Sequence, residues 1–213
     1  MNSASLLRFS ARFLSLVLHP LLLPTYAFAL IMWSSPYTFG DAHSALFRRN
    51  MVVVFSNTFC FPALTLLIMK QVGLIKSLHM PEGRERIIPM MSTMVFYVFA
   101  FMVFRKGLLA PPILSTILLG ATLTVMLCFF VNIFTKVSIH AAGMGSLVAL
   151  LIFYAGSADF SLIPWIMLAI FLAGLVGAAR LYLGAHRNGQ LYYGYFVGFF
   201  CQAAAFAFTM ARP

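Results

Sequence analysis

Charge is scarce in this chain. Asp, Glu, Lys and Arg make up 8% of the sequence and apolar types 62%, whereas soluble domains run to about a quarter charged. That balance excludes a water-soluble globular fold and assigns the chain to a bilayer. Acid is the scarcest component: Asp41, Glu82, Glu85 and Asp159 stand against fourteen Lys and Arg. The net charge of +10 does not mark a nucleic-acid binder, because the bases lie between apolar segments and compose no basic face. Cysteine is equally sparse. Cys60, Cys128 and Cys201 each fall inside an apolar run with no CxxC spacing, as buried small hydrophobes do, which excludes a disulfide framework or a cysteine metal site. No connection is long enough for a soluble domain, so residues 1–213 form a single integral membrane domain.

Continuous apolar runs take up most of what is there. Spanning helices need about 20 apolar residues, and on that ruler the segments are Phe13–Trp33, Met51–Met69, Ile87–Phe104, Pro112–Phe134, His140–Gly156, Leu162–Leu183 and Leu191–Met210. The first is too long for a signal-peptide core and reads as a retained membrane helix kinked at Pro20 or Pro24. The third and fifth are the shortest, so the count is seven, or six with one segment re-entrant. Backbone groups in lipid must be satisfied internally, which makes each span a helix. A barrel would alternate apolar and polar residues, and these runs do not. The expected fold is an all-α, polytopic bundle of six to seven transmembrane helices.

Three polar knots interrupt the apolar pattern, and each follows an even-numbered span, which puts all three on one face of the membrane. The first holds His79, Glu82, Arg84, Glu85, Arg86 and Pro89. It reads either as a juxtamembrane charge cluster or as a cationic clamp for phosphate, to which the planar guanidinium fork is suited. The second is Lys136, Val137, Ser138, Ile139 and His140, followed by Ala141, Ala142 and Gly143. Ser138 is placed to cap a helix whose N-terminus favours an anion; the plainer alternative is a capped helix with a snorkelling lysine. The third runs from Arg180 to His186 and on to Gln190. Arg180 lies about two turns inside its helix end, too deep for an ordinary flanking charge, and needs a carboxylate or an anionic ligand as partner. Two of the four acids lie in the first knot, so even an ion pair would draw the knots together. Orientation stays open, because the basic residues that would report it are also the candidate chemistry.

These motifs resemble the type 2 phosphatidic acid phosphatase superfamily, which includes vanadium haloperoxidases and bacterial polyprenyl diphosphate phosphatases. The likeness runs from about His79 to Gly198, within a core of about residues 51–210. Arg180 and His186 match the Arg-x5-His of that family's third motif, with Tyr182, Leu183 and Gly184 between them in family fashion and Tyr195 to Gly198 following. Ser138 and His140 match the second motif, and Arg86 ahead of Pro89 matches the first. The departures are His79 in place of a lysine, Val137 and Ile139 in place of Pro and Gly, Ala179 in place of a serine, and Gln190 in place of the aspartate that orients the nucleophilic histidine.

The resemblance implies a phosphatase of lipid phosphates or diphosphates, residing in a bacterial inner membrane. His186 would form a phosphohistidine, His140 would act as acid and base, and Gln190 would orient His186. Arg86, Arg180, Lys136 and Ser138, with Arg84 as a further candidate, would hold the phosphate oxygens. It implies no cofactor and no metal, which the shortage of carboxylates suits; substrate lipid and membrane lipids are the only partners expected. Two other readings stay open: a catalytically impaired relative that binds or moves a phospholipid head group, and a transporter or purely structural membrane protein. The chain has no convincing internal repeat, which weighs against the transporter.

Overall fold

The structure, a computed structural model, describes residues 3–34, 44–77, 84–106, 111–158 and 160–210. Among these the chain is helical throughout: α1 (Ser3–Val17), α2 (Leu23–Ser34), α3 (Ala45–Gln71), α4 (Ile87–Lys106), α5 (Pro112–Phe134), α6 (Ile139–Tyr154), α7 (Ile163–Tyr182) and α8 (Asn188–Met210). Five of them, α3, α4, α5, α7 and α8, are long and apolar enough to cross a membrane, whereas α2 and α6 are shorter apolar helices. The chain is therefore an integral, multi-pass membrane protein.

The first expected span is not one kinked helix. The chain breaks between Val17 and Leu23, and Pro20 is the cause. Lacking an N–H, Pro20 cannot bond to the Leu16 carbonyl. The His19 N–H turns to that carbonyl instead, at 3.3 Å, and a tight turn closes with Leu22 N–H on the His19 carbonyl at 2.8 Å. Pro24 falls inside the first turn of α2, where a missing N–H costs nothing. Helix α3 is deformed by the same chemistry. Pro62 supplies no donor to the Thr58 carbonyl, the helix widens into a π-turn at Ser56–Cys60, and the Tyr97 hydroxyl of α4 donates to Thr58 O at 3.3 Å.

The end of α4, the start of α5, the end of α6 and the start of α7 share one apolar cluster through Phe104, Ile113, Tyr154 and Leu162. The start of α4, the end of α5, the start of α6, the end of α7 and the start of α8 are thereby gathered at the opposite end. Two smaller clusters hold that end: Leu18, Leu23, Met144 and Val176, and Met90, Cys128, Val137 and Ala142.

The closest crossing is between α6 and α8. A Cβ on Gly194 would sit 2.6 Å from the Ser138 carbonyl, and one on Gly198 would overlap the carbonyl of Ala142. Small residues four apart on both helices let the backbones touch, the usual packing device where lipid supplies no hydrophobic drive between helices. Deeper in the same interface Gln202 is buried. Its amide accepts from the Ser146 hydroxyl at 3.0 Å and donates to Thr116 O at 3.2 Å, tying α5, α6 and α8 together.

A candidate anion site at the convergence of three polar knots

Local backbone chemistry places each candidate side chain. Ser138 caps α6, its hydroxyl accepting from Ala141 N–H at 3.4 Å, and its own N–H donates to the Gln190 carbonyl at 3.2 Å. That bond joins the second knot to the third. Helix α7 ends at Tyr182, so Arg180 lies in its last turn and not two turns inside it; Gly184 follows with a φ of 64°, the left-handed conformation glycine tolerates best. Ala185 N–H then reaches back to the Arg180 carbonyl at 3.0 Å, a C-cap that turns the chain at once into His186. Arg86 closes the short turn Arg84–Arg86 that leads into α4. One turn farther on, Met90 packs with Val137 and Ala142, bringing the first knot to the second.

His186 and Gln190 form the best-defined pair. His186 Nδ1 lies 3.2 Å from Gln190 Oε1, and the Arg187 backbone N–H donates to the same oxygen at 3.2 Å. A backbone N–H can only donate, so that atom is the amide oxygen and His186 Nδ1 must carry the hydrogen. Nε2 is left as the basic, nucleophilic nitrogen. Burial lowers the His186 pKa to about 4; the Gln190 bond opposes the shift, and Arg86, Arg180 and Lys136 add to it.

Arg86, Lys136 and Arg180 are near enough to oppose one another's charge. Arg86 is held below the ordinary arginine value by burial first and then by Arg180, with Glu85 pulling the other way. Lys136 is lowered by burial, then by Arg86 and Arg180. Arg180 Nε is buried with no hydrogen-bond partner among the described residues, and so is Glu85 Oε2. An ion pair between Arg180 and the first knot, the alternative to an anionic ligand, is thus not made with Glu85; Glu82 and His79 lie outside the described residues, as do Asp41 and Asp159. The side chain of Arg84 also lies outside them.

Sequence reasoning missed His19. Its ring meets that of His140 edge to face, with centroids 5.3 Å apart. The described histidines, His19, His140 and His186, therefore all gather here. The signal was present: a histidine in a long apolar run is as anomalous as the arginine that drew notice at position 180. Among the described residues no group of three or more His, Cys, Asp or Glu is arranged to hold a metal ion.

Three cations, three histidines and a capped helix N-terminus gather at one end of the bundle, a donor set suited to an anion. Phe134, Tyr182, Tyr192 and Tyr193, at or beside helix ends on this side of the bundle, are exposed, and aromatic residues settle at the membrane–water boundary. Compared with known proteins, the chain matches no family model, no curated protein and no solved structure at a significant level.

Proposed function

We propose that this protein is a membrane-embedded phosphatase of lipid phosphates or diphosphates, related to the type 2 phosphatidic acid phosphatase superfamily. One observation carries the reading: Arg86, Lys136 and Arg180 converge, with no carboxylate bridging Arg180 among the described residues, on a histidine whose Nδ1–H is held and whose Nε2 is free. His186 Nε2 attacks phosphorus as the bond to the leaving oxygen breaks, and His140 gives that oxygen a proton. Water then cleaves the phosphohistidine and returns its proton to His140. The three cations, Ser138 and neighbouring N–H groups hold the non-bridging oxygens while charge develops. The exposed aromatic residues at this end support a substrate whose head lies at the membrane surface and whose tail stays in lipid. Seven crossings, with α1 and α2 together making the first and the short α6 making the fifth, belong to the same proposal, as does residence in a bacterial inner membrane.

Gln190 favours a second reading, a relative that binds or moves a phospholipid head group without cleaving it. A neutral amide orients an imidazole but does not stabilise the imidazolium as a carboxylate does. Phosphate release by purified protein from a panel of lipid phosphates and diphosphates separates the two. Turnover that vanishes in His186→Ala supports the phosphatase. Binding without release by wild-type protein assigns the head-group reading.

A further inference from the structure

The proposed reaction leaves His19 and the N-terminal helix without a task, yet both touch its acid–base residue. The Ser15 carbonyl of α1 lies 3.0 Å from His140 Nε2. Within a regular helix that carbonyl would accept from His19 N–H, but the break at Pro20 has moved His19 N–H to Leu16 O, which opens the Ser15 carbonyl to an outside donor. A carbonyl only accepts, so His140 Nε2 carries a hydrogen and the lone pair of the neutral ring falls on Nδ1. His19 itself accepts from Leu21 N–H on Nδ1 at 3.3 Å, which fixes its own hydrogen on Nε2, and its ring stands at 83° to that of His140. Among the described residues, the remaining charged or titratable groups facing His140 are Arg180 on α7 and His186 in the loop before α8. Neither holds Nε2.

We propose that His19 is a positioning residue: with the Ser15 carbonyl it clamps His140 as the Nε2–H tautomer, so that Nδ1 is the nitrogen that exchanges a proton with the substrate. The inference rests on the phosphatase reading of the site. Protonated His140 carries hydrogens on both nitrogens. The Nδ1 proton passes to the leaving oxygen as its bond to phosphorus breaks, and the ring returns to neutral with Nε2–H still on Ser15. Water later supplies a proton to Nδ1. The broken helix thereby becomes a wall of the site.

Two substitutions separate the ring of His19 from its turn. His19→Asn keeps an acceptor for Leu21 N–H and removes the ring; His19→Phe keeps the ring face and removes the acceptor. The measurement is the ring-nitrogen NMR signature of His140 in full-length protein in detergent, alongside hydrolysis of a short-chain phosphatidate. The expected wild-type signature is a single Nε2–H tautomer. His19→Asn should give mixed tautomers and a kcat about tenfold lower at unchanged KM, part of the 10²–10⁴ that general acid–base catalysis contributes. His19→Phe should hold the tautomer. An Nδ1–H wild-type signature overturns the proposal, as does full rescue by His19→Asn in protein that thermal unfolding shows to be folded. If wild-type protein hydrolyses nothing, the phosphatase reading fails, while the tautomer result still decides whether His19 positions His140.

Discussion

Gln190 receives two hydrogens on one oxygen, from His186 Nδ1 and from the Arg187 backbone, each at 3.2 Å. Aspartate, the residue found here in the resembling family, is one methylene shorter and would have to be reached by a shift of the turn. Glutamate is the isostere of what is present. Gln190→Glu should place a carboxylate on the same two donors, raise the pKa of His186 and increase kcat by about tenfold or more. The ceiling is about 10⁴, the loss seen when an orienting carboxylate is neutralised in a serine-protease triad. A rate that stays level or falls, with His186 titrating higher, would mean that orientation was already sufficient. Arg180 makes a different demand. Its buried Nε awaits a partner, and Arg180→Ala should lower kcat by about 10²–10³, as removal of one donor to a developing oxyanion does. Assay of phosphate release checks both.

Helices α6 and α8 carry the site between them, and their contact is backbone to backbone at Gly194 and Gly198. A methyl at position 198 meets the Ala142 carbonyl, which has no rotamer by which to yield. Gly198→Ala should therefore lower stability by about 1–3 kcal/mol and push Ser138 away from the Gln190 carbonyl, lowering activity with it. Thermal unfolding in detergent, read beside turnover, tests this; Gly174→Ala, where an added methyl meets nothing within 4 Å, is the control. The break between α1 and α2 is an element of the same kind. Pro20 removes one donor, and the freed Ser15 carbonyl finds His140.

At the scale of the whole molecule, topology and pH response can both be tested. The helix ends that carry the knots lie at one end of the bundle, so cysteines introduced at Lys76 and Arg187 should be modified by a membrane-impermeant reagent from one side, and one at Arg105 from the other. Labelling of all three from one side would break the proposed arrangement of crossings. For pH, His186 has a folded pKa of about 4 against an ordinary 6.5. The unfolded chain binds more protons between those values, so stability rises with pH there. It is fully present above 6.5 and lost as the pH falls through 4. The thermal midpoint should decline across that window, and a bound phosphate ester should offset the decline by pairing the cations of the site. At about 100 times its Kd, ligand adds about 2.7 kcal/mol.

Composition alone determined the solvent: with 8% charge and continuous apolar runs, burial in lipid is the only favourable outcome, and backbone satisfaction then makes every run a helix. Spacing alone placed Ser138 at a cap, which follows from helical geometry over a few residues; it set Arg180 too deep, because the helix ends at Tyr182 and Arg180 lies in its last turn. The turn at Pro20 was legible only in part. A proline marks where a helix loses a bond, but whether the chain kinks or breaks depends on what receives the freed carbonyls, and here His140 is 125 positions away in the chain. The same holds for the site. Sequence supplied three polar knots and a parity argument for their common face, whereas the meeting of Arg86, Lys136, Arg180, His140 and His186, and the addition of His19, required the close crossing of α6 and α8 and the docking of α1 on α7. Those contacts join residues far apart in the chain, and no local pattern of residues encodes them.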